Sequence, residues 1–386
     1  MSVNSINIPV GTRDYLFEEC GSLRRVSNAL YALFSARGFD EVISPTFEYY
    51  DVVRTKGNPM PESMLFKFTE CTGRLLALRP DMTTPIARIA ATRIPDYNLP
   101  ARLFYIQNVY RAGTPGTGRN TEVMQGGIEL VGFKGIDADT ETIVMAVDAL
   151  RACTDKKFHI EIGHAGLLKE LARDLNMVDS DFDAMRKLTE RRNIAALTDM
   201  LKRYENKKAA EALSELIMLF GGVEVLDRAE ALCAGSRASE ELKYLRVLIE
   251  NLNSAGVSDY ISVDFGLVHQ IDYYTGIIIR AYIEGAGMEV LSGGRYDRLA
   301  GSFGKALPAI GFAIDINSIA VLDEMPPAGK KPVLHVPSGR IREAFDYMDK
   351  NGPCDISPYD SLEKSREYAK RRGSVLKVIG DSKEEE

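Results

Sequence analysis

The sequence is poor in the residues that build metal centres, disulfide frameworks and membrane spans. It contains no tryptophan, four histidines and five cysteines among 386 residues. The cysteines are scattered without a CxxC pair and no histidines are paired at metal-ligand spacing, so we expect no metal, no disulfide and a reducing, cytoplasmic location. No stretch approaches the roughly 20 apolar residues that cross a bilayer. The start of the chain lacks the basic and apolar regions of a signal peptide, and we predict no membrane contact.

An excess of positive charge is absent as well. The formal net charge is −7 and the pI is near 5.4, which disfavours a surface built for the phosphates of a nucleic acid. The content of 45% apolar and 27% charged residues is that of an ordinary globular protein. At roughly 150 residues per domain, the length predicts two or three domains.

The chain is organised around a strand, a loop and a returning strand between Leu103 and Gly132. Residues 103–110 are rich in aromatic and β-branched side chains, which favour a strand. Residues 112–120 are packed with Gly, Thr and Pro and predict a loop. Residues 123–131 carry little turn chemistry beyond two adjacent glycines, so this segment can return antiparallel to the first strand.

This hairpin carries a candidate small-molecule site. Gln125, Gly127 and Glu129 share one face of a strand with a period of two, and Gly127 leaves room beside the two polar side chains. Arg111 stands at the mouth of the loop. From this stretch alone, a plain hairpin whose polar residues lie on the surface is an equally good interpretation.

The rest of the pattern predicts a mainly antiparallel sheet flanked by helices. Strand arms joined by turns, with helices kept apart from them, are typical of an α+β domain. We expect residues 1–325 to form this core, with a helical insertion at about 166–257, and residues 326–386 to form a linker and a short C-terminal α/β segment. The pattern predicts helices at 17–36, 139–151 and 312–322, a helix capped by Thr84 before Pro85, and strands at 41–53, 65–68, 74–78, 158–162, 261–268, 276–282 and 288–291.

Several segments, taken in order, resemble the class II aminoacyl-tRNA synthetases of the histidyl type. The resemblance spans about residues 8–323 and implies their fold, a mostly antiparallel sheet flanked by helices and interrupted by a helical insertion. The segments are PVGTRDYL at the start, GFDEVISPTFEYYDVV as motif 1 with Pro45 at the expected dimer interface, LRPDMTTPIAR, FYIQNVYRAGTPGTGR as motif 2, MQGGIELVG, LVHQIDYYTG and SGGRYDRL as the two histidine-specific motifs, and IGFAIDINSIAVL as motif 3.

The ATP side of this resemblance is depleted. Arg111 stands where the motif 2 arginine grips the α-phosphate, but Gly113 replaces the glutamate that reads adenine. Ser318 stands at the motif 3 arginine that clamps the γ-phosphate, Asn317 at its glutamate neighbour, and His269 at the histidine-specific arginine. Each lost cationic donor removes roughly 3 to 4 kcal/mol of transition-state stabilisation. We therefore expect adenylation many orders of magnitude below that of an active synthetase, and we assign no catalytic residue.

The amino-acid side of the resemblance is kept, and it implies a site for L-histidine. A zwitterion with an imidazole needs carboxylates for its amine and ring N–H, a tyrosine hydroxyl and an aromatic wall. Asp81 stands where the family has a glutamate, and Arg111 remains as a candidate residual anion-binding residue. The expected histidine-binding residues are Asp81 and Thr83, which lie where the amino group is read, Gln125 and Glu129, which hold the amino group and the imidazole, and Tyr273 and Tyr274, which lie beside the imidazole.

A kept amino-acid pocket beside a lost ATP clamp resembles the regulatory subunits of short-form ATP phosphoribosyltransferases, which are synthetase paralogues that do not aminoacylate. This resemblance implies assembly with a short catalytic subunit as a hetero-octamer, activation of that subunit, and feedback inhibition by histidine in the first step of histidine biosynthesis. It also implies a dimer through the motif 1-like region, no cofactor and no tRNA. Two alternatives stay open: an active or degenerate histidyl-tRNA synthetase, and another histidine-binding synthetase paralogue.

Overall fold

The chain folds into two compact units, Met1–Glu324 and Met325–Glu386. The first contains a nine-stranded sheet and a small three-stranded sheet, and the second contains a three-stranded parallel sheet. His269 and residues 114–119 of the motif 2-like segment lie outside the described residues. The computed structural model describes residues 8–55, 60–113, 120–268, 273–323 and 330–380.

The first unit opens with a long helix that packs on the large sheet. Val26, Leu30 and Phe34 recur at helical spacing on one side of this helix and are fully buried, as the amphipathic pattern predicts. The helix stops before Gly38, whose positive φ of 80° suits a residue without a side chain. The elements before the insertion are α1 (Glu18–Ala36), β1 (Asp40–Glu41), β2 (Phe47–Tyr49), α2 (Tyr50–Val53), β3 (Lys67–Thr69), β4 (Leu75–Leu78), α3 (Thr83–Thr92), β5 (Ala101–Tyr110), β6 (Glu122–Val131), α4 (Ile136–Cys153) and β7 (Phe158–His164).

The stretch predicted as a helical insertion is helical apart from one very short strand. Its apolar side chains, such as Leu213, Leu242 and Leu245, are fully buried and belong to the same core as the large sheet. The insertion therefore packs on the sheet and shares its core. Its elements are α5 (Ala165–Asp174), α6 (Asp179–Glu190), α7 (Ile194–Leu201), α8 (Lys207–Leu216), β8 (Phe220–Gly221), α9 (Glu224–Leu232) and α10 (Ser239–Ser254).

The segments after the insertion complete the large sheet with β9 (Ile261–Asp264), β10 (Ile277–Ile283), β11 (Leu291–Arg295) and β12 (Ala309–Asp315), followed by the helix α11 (Ile316–Ala320). The strand order is β1-β5-β6-β12-β11-β10-β7-β9-β8. All described neighbours pair antiparallel except β1 with β5 and β7 with β9. The predicted α+β architecture, a mainly antiparallel sheet flanked by helices, is confirmed.

The two faces of the large sheet differ in chemistry. Phe104, Ile128 and Phe312 lie opposite one another on β5, β6 and β12 and are buried in the core that α1, α4 and the insertion share. Gln125 and Glu129 point to the other face, because successive strand residues alternate. The apolar face therefore builds the core, and the polar face is left for a site.

The predicted single strand at 41–53 is wrong. The chain forms β1 in the large sheet and β2 in the small sheet, whose order is β2-β4-β3. Between them, the Arg79 guanidinium donates to the carbonyl oxygens of Ser44 at 2.7 Å and Pro45 at 3.0 Å. Ser44 N donates to Gln107 Oε1 at 3.0 Å. Side chains from two other strand segments therefore satisfy the backbone where it crosses from one sheet to the other.

The predicted helix at 312–322 is also wrong in its first part. Residues up to Asp315 belong to the central strand β12, and only Ile316–Ala320 is helical. The predicted strand at 261–268 ends at Asp264, because the Asp264 Oδ1 accepts a hydrogen bond from Gly266 N at 2.9 Å and turns the chain. The predicted strand at 288–291 begins only at Leu291 and continues to Arg295.

The second unit is a small three-stranded parallel sheet with two helices. Leu334 and Ala344 are fully buried in its core. Three buried polar side chains of this unit are linked by hydrogen bonds. His335 Nδ1 lies 2.9 Å from Ser365 Oγ, which lies 2.7 Å from Ser357 Oγ. The elements are β13 (Val333–His335), α12 (Ile341–Asn351), β14 (Asp355–Ile356), α13 (Leu362–Arg372) and β15 (Leu376–Val378).

Packing of α1 on the sheet predicts a large loss of stability for Phe34→Ala. The Phe34 ring is fully buried and lies 5.7 Å from the Phe104 ring and 6.3 Å from the Phe312 ring. Its removal should lower the free energy of unfolding by about 3 to 5 kcal/mol. Tyr97→Ala, at a side chain that is 85% exposed, is the aromatic control and should change it by less than about 0.5 kcal/mol. Urea unfolding followed by circular dichroism measures both; equal losses would contradict this packing.

Candidate functional site

The candidate site lies on the polar face of the large sheet, over β6 and β12. Gln125, Gly127 and Glu129 share this face of β6, as the period of two predicts. Their neighbours on β12 are small, since Gly127 lies opposite Ala313 and Glu129 lies opposite Gly311. A Cβ on Gly311 would overlap Glu129 Oε2. The small residues of β12 therefore leave the space that the Glu129 carboxyl group fills.

The Glu129 carboxyl group is the centre of the pocket and is withdrawn from water. Glu129 is 1% exposed. Thr83 Oγ1 donates to Oε1 at 2.8 Å, and the Tyr296 hydroxyl donates to Oε2 at 2.5 Å. Burial raises the pKa of Glu129 to about 8, and the two hydrogen bonds offset only part of this rise. The pocket therefore favours a ligand that brings positive charge to this carboxyl group.

A second carboxyl group lies at the start of α3. Asp81 is 5% exposed, and its Oδ1 accepts a hydrogen bond from Thr84 N at 2.7 Å. The prediction that Thr84 caps this helix is wrong. The helix begins at Thr83, and the Asp81 carboxyl group accepts the hydrogen bond from the backbone N–H of Thr84 in its first turn. The same turn directs Thr83 toward Glu129. The charge of Asp81 adds to the burial effect that raises the pKa of Glu129.

Four tyrosine side chains form the aromatic wall of the pocket. The ring centroids of Tyr273 and Tyr274 are 4.6 Å apart, and Tyr273 meets Tyr296 edge-on at 5.8 Å. Tyr105 is fully buried, and its hydroxyl lies 2.6 Å from where a Cβ on Gly127 would stand. Burial raises the pKa of Tyr105, Tyr273 and Tyr296 well above its ordinary value. Their hydroxyl groups therefore keep their protons at neutral pH and can donate hydrogen bonds.

Tyr105 and Tyr296 are pocket residues that sequence reasoning missed. Both lie in segments that the sequence had already singled out, the first strand of the hairpin and SGGRYDRL. Strand pairing reveals them, since Tyr105 lies directly opposite Gly127 and Tyr296 N donates to Ala309 O of β12. The alternation of strand residues places Tyr105 on one face of β5. Only the pairing of β5 with β6 shows that this is the face that carries Gln125 and Glu129.

Gln125 and Arg111 lie further along the hairpin, toward its loop. Gln125 is 7% exposed and lies opposite Asp315. At about 3.3 Å per strand residue, it stands roughly 13 Å from Glu129 along β6. The Arg111 Nε donates to Pro80 O at 2.7 Å. The side chains of Asp81, Thr83, Tyr273 and Tyr274 lie near the Glu129 carboxyl group, whereas Gln125 stands apart from it.

The residues at the motif 3 positions are engaged inside the fold. Ser318 N and Ser318 Oγ donate to the two carboxyl oxygens of Asp315 at 3.0 and 2.8 Å, which caps α11. Asn317 Oδ1 accepts from Met124 N at 2.6 Å, and Asn317 Nδ2 donates to the Tyr15 hydroxyl at 2.7 Å. Neither side chain is cationic. The positions that resemble a phosphate clamp therefore support the end of β12 and hold it to β6 and Tyr15.

The arrangement suits binding of an amine beside an aromatic wall. Asp81, Glu129 and Asp315 place three carboxyl groups near this face, and burial raises the pKa of Asp315 although the hydrogen bonds from Ser318 and the charge of Arg111 lower it. Among the described residues, no group of three or more His, Cys, Asp or Glu side chains could hold a metal ion. No helix in the described part of the chain is both long and apolar enough to cross a membrane.

Solved structures share this fold. An ATP phosphoribosyltransferase regulatory subunit/histidyl-tRNA synthetase from Bacillus halodurans C superposes with a TM-score of 0.87 at 27% identity, covering 98% of this chain and 100% of that one. The histidyl-tRNA synthetase from Nostoc sp. PCC 7120 superposes with a TM-score of 0.76 at 18% identity, covering 95% and 90% of the two chains. This second likeness shows the class II synthetase fold alone.

Sequence comparison gives the family. Residues 11–319 match the family model of histidyl-tRNA synthetase. The ATP phosphoribosyltransferase regulatory subunit of Clostridium kluyveri is 40% identical over 378 residues, covering 94% of this chain and 96% of the relative. The subunit of the same name from Bacillus mycoides is 34% identical over 383 residues, covering 96% and 90%. The chain therefore belongs to the family of ATP phosphoribosyltransferase regulatory subunits, which is built on the histidyl-tRNA synthetase domain.

Proposed function

We propose that this chain is the regulatory subunit of a short-form ATP phosphoribosyltransferase and that it senses L-histidine in the pocket around Glu129. One observation supports this most directly: a buried carboxyl group with a tyrosine wall lies on the sheet, while the motif 3-like positions carry no cationic side chain. Glu129 and Asp81 form a buried acidic centre, whereas Asn317 and Ser318 are engaged inside the fold. Such a chain can bind an amino acid without activating it.

Histidine suits this pocket group by group. Its amino group is positively charged at neutral pH and would favour the ionised form of Glu129, beside the carboxyl group of Asp81. Its imidazole would lie against the tyrosine wall, whose hydroxyl groups can meet the ring nitrogens. Gln125 would add a polar contact, and Arg111 stays a candidate for binding an anionic group. A buried site of this kind rejects ligands that leave its polar groups unpaired.

The partner would be a short catalytic subunit of ATP phosphoribosyltransferase. This chain would activate it within a hetero-octamer and hold it inactive when histidine fills the pocket, in the first step of histidine biosynthesis. Coupling between two such sites is reciprocal and typically ~1 to 3 kcal/mol. The chain itself would carry out no aminoacylation and bind no tRNA. Its five cysteines are free thiols, which supports a reducing, cytoplasmic location.

Self-association would use the motif 1-like region. The small sheet exposes aromatic side chains on one face, where Phe47 is 51% and Phe68 is 40% exposed and their ring centroids lie 5.9 Å apart. Ile43, in the segment that leads to this sheet, is 74% exposed. A patch of this kind is typical of an interaction surface. A second copy of the chain could cover it symmetrically, with the same residues on both sides.

Glu129→Gln should weaken histidine binding by about 10- to 100-fold, because hydrogen bonds to a charged group contribute about 1.5 to 3 kcal/mol. Calorimetry on the purified chain measures this, and an assay of the complex with its catalytic subunit should show a matching loss of histidine inhibition. Glu122→Gln is the matched control, since Glu122 lies at the end of the same strand and pairs with Asn108 Nδ2 at 2.6 Å. It should leave both readings unchanged.

Two outcomes would contradict the proposal in different ways. Unchanged affinity of the Glu129→Gln variant would move the effector site away from this pocket. Histidine-dependent ATP–pyrophosphate exchange at the rate of an ordinary synthetase would show that the chain activates histidine, and the regulatory function would then fail.

Histidine binding should release protons near neutral pH. Glu129, with a pKa of about 8 in the empty pocket, is mostly protonated at pH 7, and a bound ammonium group favours its ionised form. Affinity should therefore rise from pH 7 to 8, by at most about tenfold per unit, and level off above 8. Calorimetry in two buffers with different ionisation enthalpies measures the protons released. Proton uptake on binding, or the same release from Glu129→Gln, would argue against this role.

Phe68→Asp should shift the chain from dimer toward monomer. A carboxylate on the exposed aromatic face would have to lose its water in the interface, which costs several kcal/mol when it is unpaired. Sedimentation equilibrium measures the dissociation constant, which should rise by more than about tenfold. Phe345→Asp on α12, where the phenylalanine is 45% exposed, is the matched control. A dimer as stable as the unaltered one would exclude this face as the interface.

A further inference from the structure

The last residue of β11, Arg295, and the residue that follows it, Tyr296, point to opposite sides of the large sheet. Tyr296 reaches the pocket, where its hydroxyl donates to Glu129 at 2.5 Å. Arg295 lies opposite the fully buried Ile310, so its side chain points to the core face. Arg295 is 7% exposed. A single step along the backbone therefore joins the pocket to the other side of the sheet.

The Arg295 guanidinium binds the start of α4. Its Nε donates to Asp139 Oδ1 at 2.8 Å, and a second nitrogen of the group also donates to this oxygen. It further donates to the carbonyl oxygens of Phe133 and Gly135, each at 3.2 Å. Asp139 is fully buried. Arg295 therefore fixes the segment that leads into α4 as well as its first turn.

Asp139 passes this connection on to the insertion. Its other oxygen, Oδ2, accepts a hydrogen bond from the Tyr244 hydroxyl of α10 at 2.6 Å. Three residues earlier on the same helix, Glu241 Oε2 lies 3.3 Å from Nε2 of the buried His164 at the end of β7. Residues three apart share one face of a helix. Helix α10 is therefore held to the sheet along the face that contains Tyr244.

The main chain of Arg295 also holds the aromatic wall. Its carbonyl oxygen accepts hydrogen bonds from Thr275 N at 2.7 Å and from Thr275 Oγ1 at 3.3 Å. Thr275 directly follows Tyr273 and Tyr274. Movement of the pocket tyrosines on a ligand would therefore act on Arg295 from two sides, through Thr275 and through Tyr296.

We propose that Arg295 is a positioning residue that couples the pocket to helix α10 of the insertion, through Asp139 and Tyr244. The inference rests on the proposed histidine site and adds the path by which histidine binding there affects helix α10. Histidine in the pocket changes the position of the Tyr296 hydroxyl relative to Glu129. The Arg295–Asp139 ion pair moves with Tyr296, and α10 is then held more tightly to the sheet. Histidine binding on one face of the sheet thereby changes the surface of the insertion on the other face.

Stability alone does not account for this arrangement. Replacing a buried ion pair by apolar residues of similar volume is often neutral or stabilising. The second oxygen of the buried Asp139 needs a donor in any case, and that donor comes from α10 rather than from α4. Here one carboxyl group is shared between a residue next to the pocket and a residue of the insertion. This shared use is what a coupling element requires.

Hydrogen exchange with and without histidine tests the coupling in the full chain. In the unaltered protein, histidine should slow exchange in α10 by at least about fivefold, the low end of typical couplings between sites. Helix α6, which lies in the same insertion, should change less. Tyr244→Phe keeps the ring but removes the hydroxyl that binds Asp139; it should still bind histidine with a similar dissociation constant but lose the slowing in α10.

Tyr204→Phe is the matched control. Its hydroxyl donates to Asp181 Oδ2 at 2.6 Å, a bond of the same length and chemistry that stays within the insertion. This variant should keep the response of α10, so loss in both variants would mean a merely structural effect and overturn the inference. Histidine that binds the unaltered chain without slowing α10, or a Tyr244→Phe variant that keeps the response, would also overturn it. Failure of the unaltered chain to bind histidine would instead overturn the proposed function and the coupling with it.

Discussion

The buried carboxyl group of Glu129 is the constraint on which the rest of the site depends. Taking a carboxylate out of water costs on the order of several kcal/mol unless donors and positive charge surround it. Thr83 supplies one donor, Tyr296 supplies another, and Gly311 supplies the space. These three residues come from separate parts of the chain, so the pocket exists only once α3, β12 and the segment after β11 have assembled. The positive charge is the one component that a ligand would bring.

The large sheet gives the pocket its rigidity by separating two kinds of chemistry. One face is closed by helices and contains the core, and the other carries the polar side chains. Successive residues of each strand point to opposite faces, so a small movement of the backbone shifts side chains on both faces. Arg295 and Tyr296 are the clearest case, since they are neighbours in sequence and work on opposite sides.

The hairpin and its one-sided polar residues could be predicted, because a period of two and a Gly/Pro-rich loop are local signals. Strand β12 was missed, since Phe312 shares helical spacing with Ile316 and Ile319 of α11, and the chain passes from the strand directly into that helix. The hydrogen bond of Tyr296 to Glu129 joins residues 167 positions apart, and no local pattern reports such a partner. Recognition of the whole set of motifs, rather than periodicity, indicated which residues would meet.

The engagement of Asn317 and Ser318 has an evolutionary consequence. A return to arginine at 318 would remove the hydroxyl that binds Asp315, and a return to glutamate at 317 would remove the amide that donates to Tyr15. Either reversal loses a local contact at once, while a phosphate clamp acts only when its members are present together. Local packing, independent of any regulatory benefit, therefore disfavours a phosphate clamp at these two positions.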